Sequence, residues 1–294
     1  MCVIWGFSYG LYRPAAQTFV SHLSKPGTNK ITFSVFRLSL NLGMSIGPML
    51  GGYLATRSFV MLFLVNGLTN LSASLLLIVG LMHTSWFSYR SNTQKKVELS
   101  ISILKKDPLL RLFMLGMVPI SMVFFQHEST LAIFLHDDLN LPLSFYGFLF
   151  TLNTLLIVCF ELPLNVATMH WSYRTNFILG SLLITLAFAA LCFAQQQWFV
   201  IGVAIVWTLG EMILYPAASS FIADIAPIEN RGNYMSLFST CSNLGFLLGP
   251  WAGALIMGHY GASKLWIICG IWGALSIIIF QIIKHNNQYS DRFV

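Results

Sequence analysis

The chain has 294 residues, 56% of them hydrophobic and 9% charged, with a mean hydropathy of +0.72 and a net charge of +6. A soluble surface needs roughly 25% charged residues, so this composition excludes a soluble globule and points to a membrane protein. Lys and Arg stand between apolar runs rather than in a stripe interleaved with aromatics, which argues against a nucleic-acid interface.

Nine apolar runs are long enough to cross a hydrocarbon core as helices: 1–22, 32–55, 59–82, 109–135, 144–166, 175–194, 197–222, 234–257 and 264–284. Helices are expected throughout, because lipid cannot satisfy the backbone groups of an open structure. The first run has no basic leader and passes directly into Arg13 and Pro14, against a cleaved signal peptide. Arg13 lies mid-span, one turn before Gln17, where it can meet an anionic group. Arg37, in the second run, lies nearer a span end and is expected to snorkel towards the headgroups. Gly43, Gly47 and Gly51 recur on one face of that run beside Pro48, a pattern suited to close helix approach.

The stretch 83–108 is polar. Within it Val97, Ile101 and Leu104 form an i, i+4, i+7 stripe flanked by lysines, which predicts an amphipathic helix on the membrane surface. The fourth run carries Gln126 and Glu128 in one half, and the fifth carries Asn153 and Glu161. The seventh carries Glu211 near its centre, with Tyr215 one turn on. Ionisable groups in lipid are costly and mark transport pathways. A carboxyl buried at Glu211 can carry a proton or pair with a cationic substrate. The five cysteines all lie in apolar runs without CxxC or Cys/His spacing, so neither disulfides nor a metal site is expected. No cofactor is implied, and neither HExxH, a Ser/His/Asp set nor a clustered intramembrane acid pair is visible along the sequence, so an enzyme is not expected.

Twelve Lys and Arg residues fall on one side of the nine-span topology and only Arg57 and Lys264 on the other. The positive-inside rule then puts the C-terminus in the cytoplasm and residues 136–138 outside.

The sequence also repeats itself without gaps at an offset of 202 residues. Pro14, Ala15 and Ala16 return as Pro216, Ala217 and Ala218, and Asn41, Leu42 and Gly43 as Asn243, Leu244 and Gly245. Gly47 and Pro48 return as Gly249 and Pro250, and Gly51 as Gly253. Spans one and two are therefore a copy of spans seven and eight, six helices apart and with the same orientation. On this reading residues 109–294 form a complete six-helix half, 83–108 a cytoplasmic linker, and 1–82 a partial first half. By the same offset, the first half is expected to lack about 95 residues, the length of three spans.

The segment NLGMSIGPMLGG (41–52) resembles the GxxxGPxxGG signature of major facilitator drug/proton antiporters, with Gly52 completing it. The segment GEMILYPAASSFIADIAPIENRGNYM (210–235) resembles the tenth helix and following loop of the same superfamily. The resemblance implies an all-α polytopic major facilitator bundle, with the nine spans equivalent to helices 4–12 of twelve. One departure is the loop NVATMHWSYR (165–174), which lacks the Asp of the family's loop motif and keeps only Arg174. Substrate and proton contacts are expected at Glu211, Tyr215, Glu128, Glu161, Arg13, Gln126 and Asn153, near the midplane between the halves. The implied function is secondary transport, with proton-coupled efflux of small amphiphilic molecules ahead of two alternatives: a proton symporter for a polar nutrient, or an inactive remnant. The expected setting is a monomer in the bacterial inner membrane whose partners are its substrate, protons and lipid.

Overall fold

The computed structural model describes residues 2–24, 28–83 and 100–283. Among them the secondary structure is helical: α1 (Cys2–Leu23), α2 (Asn29–Arg57), α3 (Phe59–His83), α4 (Ser100–Lys106), α5 (Pro108–Phe124), α6 (Thr130–Ile133), α7 (Leu143–Ala167), α8 (Tyr173–Ala190), α9 (Gln197–Ile225), α10 (Arg231–Tyr260) and α11 (Ala262–Ile282). Seven of the described helical stretches are long and apolar enough to cross a membrane, beginning with α3. α1 and α2 have 22 and 29 residues but are not among the seven. In α2 the glycines, serines and cations that line the sequence lower its hydropathy.

The chain divides into two compact units. One comprises Met1–Ser39 with Glu98–Val294, the other Leu40–Val97. In the first, α5, α8, α9, α10 and α11 enclose an aromatic core around Phe113. Its ring lies 4.9 Å from Phe221, 5.2 Å from Phe177, 6.0 Å from Phe238 and 6.3 Å from Phe280, distances at which tilted rings attract. In lipid, where burial of apolar surface gives little drive, small residues must bring backbones together. They do so twice. α8 crosses α9 at Gly180 and Gly210, where an added Cβ would stand 2.8 Å from Leu214 Cβ and from the Gly180 carbonyl respectively. α10 crosses α5 on Gly245, Gly249 and Gly253, with Ser121, the Met122 backbone and Gln126 in the space a Cβ would need. α10 stops at Gly261, whose φ of +83° suits glycine alone.

In the second unit α2 continues into α3. Within that unit a Cβ at Gly43 or Gly47 meets nothing within 4 Å, and the side-chain surroundings of Pro48, Gly51 and Gly52 lie outside the described residues. The close approach expected for this glycine face is thus seen in its repeat copy on α10, where Pro250 accompanies the three glycines.

Two local expectations change. The run 109–135 does not form one α-helix: after Phe124 it tightens into a 3-10 turn over Phe125–Glu128, and Ser129 leaves the helical region (φ −142°, ψ −71°). Side chains there compete for the helix carbonyls. His127 Nδ1 lies 2.5 Å from the Phe124 oxygen, and Gln126 Nε2 donates to Met122 O at 3.0 Å. The amphipathic stretch contributes only the seven-residue α4, whose buried contact is Ile103, with Leu104 packed partly against the core. Val97 and the side chain of Ile101 lie outside the described residues.

Candidate functional site

α7 and α9 each present a polar stripe on one helical face. Asn153 and Glu161 are two turns apart on α7, and Thr208, Glu211 and Tyr215 follow one another at i, i+3, i+7 on α9. Between the stripes sits Arg37 of α2. Its Nε donates to Glu161 Oε1 at 3.0 Å, and its Nη2 reaches Glu161 Oε2 at 3.5 Å and Glu211 Oε1 at 3.0 Å. The guanidinium carbon stands 5.4 Å from the centre of the Tyr215 ring, within cation–π range. Asn153 Nδ2 donates to the second oxygen of Glu211 at 2.9 Å and to Thr208 Oγ1 at 3.0 Å. Asn165 Nδ2 ties the α7 backbone at Glu161 to α9 at Met212, at 2.8 and 3.1 Å.

Glu161 is 0% exposed and Glu211 8%. One guanidinium thus serves two buried carboxylates. With all three groups ionised the cluster carries a charge of −1, which one proton or one monocation balances. That is what the arrangement can do chemically: exchange a small positive charge at two buried carboxylates. Among the described residues no group of three or more His, Cys, Asp or Glu side chains is disposed to hold a metal ion.

Four of the residues expected from the sequence, Glu211, Glu161, Asn153 and Tyr215, meet in this cluster. Arg37 does not snorkel. Two carboxylates within hydrogen-bonding reach outweigh the pull of the headgroups, and its side chain is 17% exposed. Two carboxylates and an arginine within spans are the signal that could have joined them, since charges in lipid pair with one another. Gln126 serves helix packing instead. Its Nε2 donates to Gly249 O at 2.7 Å, and its Oε1 accepts from Thr130 Oγ1 at 2.7 Å, closing the α5–α10 contact. Glu128 lies on the 3-10 turn, 37% exposed, with His127 Nε2 at 3.7 Å. The side chain of Arg13 lies outside the described residues.

The sequence matches the model of the Major Facilitator Superfamily over residues 1–142 and 127–289. Among curated relatives, the Bacillus subtilis MFS-type transporter YttB is 25% identical over 275 residues, covering 90% of this chain and 66% of its own length. The Staphylococcus aureus quinolone resistance protein NorA is 24% identical over 292 residues, covering 99% of this chain and 74% of its own. Among solved structures, the human organic anion transporter MFSD10 superposes with a TM-score of 0.64 at 14% identity, over 92% of this chain and 67% of the other. This chain therefore spans a little less than two thirds of YttB. With family matches that run through both its parts, and with that helical architecture, the chain belongs to the major facilitator superfamily.

Proposed function

We propose that this protein is a secondary transporter that exports small amphiphilic molecules in exchange for protons, with Arg37, Glu161 and Glu211 as its coupling site. The observation that carries the reading is the single arginine shared by two buried carboxylates. Glu161 takes two bonds from the guanidinium, whereas Glu211 takes one and is the more exposed of the pair. Glu211 is therefore the carboxyl that exchanges its counter-charge. A proton on Glu211 leaves a neutral Arg37–Glu161 pair, and loss of that proton leaves one negative charge for a ligand with a cationic or donor group. Tyr215 and the apolar faces around it suit the non-polar part of such a ligand. A quinolone resistance protein among the relatives supports extrusion over uptake.

In vesicles reconstituted with the full chain, an imposed pH gradient should drive accumulation of a fluorescent amphiphilic cation, and a protonophore should collapse it. Accumulation that ignores the protonophore would overturn proton coupling. The protein acts in this reading as a monomer in the plasma membrane, with its C-terminus in the cytoplasm. Reporters fused after Lys105 and after Asn230 should then read cytoplasmic and one after Asp138 external, and an external reading at Asn230 would invert the orientation.

A further inference from the structure

Glu211 is bonded at both of its oxygens, and the second bond belongs to a chain that leads away from the arginine. Arg37 Nη2 donates to Oε1 at 3.0 Å, and Asn153 Nδ2 of α7 donates to Oε2 at 2.9 Å. The same nitrogen donates at 3.0 Å to Thr208 Oγ1, one turn before Glu211 on α9. Thr208 is 0% exposed and gives its only hydroxyl proton to Ala204 O at 2.7 Å. Every donor in this chain therefore has a fixed direction. An ionised carboxylate only accepts, so the Asn153 nitrogen must face it, and a hydroxyl whose proton is committed can only accept from that nitrogen. The arrangement suits Glu211 without a proton.

With a proton on Glu211 it no longer fits. Oε1 faces a guanidinium, which cannot accept, so the proton belongs on Oε2. There it meets the Asn153 N–H, donor against donor. An asparagine can resolve that conflict alone, because half a turn about its broad, two-fold last torsion exchanges nitrogen for oxygen. We propose that Asn153 and Thr208 form a relay that reads the charge of Glu211: when Glu211 takes a proton the Asn153 amide turns over, its Oδ1 accepts from the new O–H, and the Thr208 hydroxyl swings from Ala204 O to that same oxygen. One proton enters from water and no covalent bond of the protein breaks. Ala204 O keeps its helical bond from the Thr208 N–H. The proton-free arrangement has the three side-chain hydrogen bonds seen here, whereas the protonated one has two, so Thr208 biases the pair towards the proton-free form. The inference rests on the reading of Glu211 as the carboxyl that exchanges a proton. The titratable and charged groups around the relay are Arg37 of α2, Glu161 of α7 and Tyr215 on α9 itself. His127 of α5, with Glu128 at 3.7 Å, stands 6.3 Å from the ring of Trp207, the residue before Thr208. α8 meets this stretch of α9 through Gly180 and Ile184.

Two measurements on the full chain in detergent test the relay. In infrared difference spectra between alkaline and acidic buffer, a protonated-carboxyl band should appear together with a shift in an amide carbonyl band, at one common midpoint. Glu211→Gln should remove both changes, and Asn153→Leu the amide change alone. Binding of a fluorescent amphiphilic cation should weaken on the acid side with the same midpoint. Thr208→Val removes the bias towards the proton-free form, so the proton is held to higher pH. That midpoint should move up by about half a unit to one unit, the contribution of one neutral hydrogen bond. Thr208→Ser keeps the hydroxyl and should stay at the parent midpoint. An amide band that stays still while the Glu211 carboxyl titrates overturns the relay and leaves the proton reading standing. So does a folded Thr208→Val protein with the parent midpoint. If Glu211→Gln removes no carboxyl band, the relay and the proton reading fall together. The infrared test needs no change at Thr208, so it decides the matter even where Thr208→Val does not fold.

Discussion

Glu211→Gln should reduce proton-driven accumulation to the level of empty vesicles while solute exchange in the absence of a pH gradient continues. The substituted amide keeps an oxygen for the Arg37 Nη2 bond, now 3.0 Å to Glu211 Oε1, so the geometry around the guanidinium survives. Its nitrogen would face Asn153 Nδ2, now a donor to Glu211 at 2.9 Å, and the Asn153 amide must turn over to accept from it. Shape and hydrogen bonds are therefore largely retained. What disappears is the second negative charge: Arg37 and Glu161 become a permanently neutral pair, and no proton is needed to close the site. Counterflow needs only binding and alternating access, which is why the two assays should part. Glu128→Gln is the matched control, since Glu128 stands on the 3-10 turn beside His127 and, among the described contacts, is not bonded to the Arg37 cluster. Proton-driven transport that survives in Glu211→Gln would move the proton site to Glu161 or Glu128.

What the sequence made legible was the part governed by one-dimensional rules. Run length gave the helices, because the hydrocarbon core sets a minimum span. The repeat at 202 residues carried more than fold. Asn29 corresponds to Arg231 and Asp224 to His22, and the structure joins Asn29 to Asp224 just as it joins Arg231 to the backbone of Ser21, next to His22. Both contacts run from the start of one duplicated helix to the end of the other, so a duplicated pair has kept its cross-connection. The glycine copies behave unequally for a physical reason. Gly245, Gly249 and Gly253 face α5 at backbone distance, while within their own unit Gly43 and Gly47 have no such neighbour.

Partners at long range were not legible. Arg37 is 124 residues from Glu161 and 174 from Glu211, and a residue near a span end has two outlets for its charge, the headgroups or a carboxylate on another helix. Depth in the span cannot choose between them, but the bonds of Arg37 to Glu161 on α7 and Glu211 on α9 do. Gln126 misled in the opposite sense. A polar side chain in a span suggests a cavity, yet its amide has just the donors and acceptor needed to seal a glycine crossing. Lys30, 8% exposed and bonded to Thr168 and Asn176, was equally illegible, because loop-side lysines are ordinarily solvated and nothing local marks this one as buried.

Arg37 should be the most destabilising position to neutralise, and its cost should be recoverable. Arg37→Met removes the only cation bonded to Glu161 among the described contacts and leaves a carboxylate with 0% exposure in a dry interior. Breaking a buried pair from one side costs about 3–5 kcal/mol, because the remaining charge has neither water nor partner. In detergent, Arg37→Met should therefore unfold at a clearly lower temperature than the parent, by tryptophan fluorescence or a thiol-reactive dye. Arg37→Met with Glu161→Gln and Glu211→Gln should recover most of the loss, since replacing a whole buried ion cluster by neutral groups is close to balanced. Glu161→Gln alone should be mild, because Arg37 keeps Glu211 at 3.0 Å and the Tyr215 ring. The signature is non-additivity: the triple variant more stable than the sum of the three single changes predicts. A triple variant whose losses simply add would mean that the three side chains are not electrostatically coupled, and the coupling site would have to be sought elsewhere. The same triple variant should transport nothing under a pH gradient however well it folds, because it retains no group in the cluster that can exchange a proton at physiological pH.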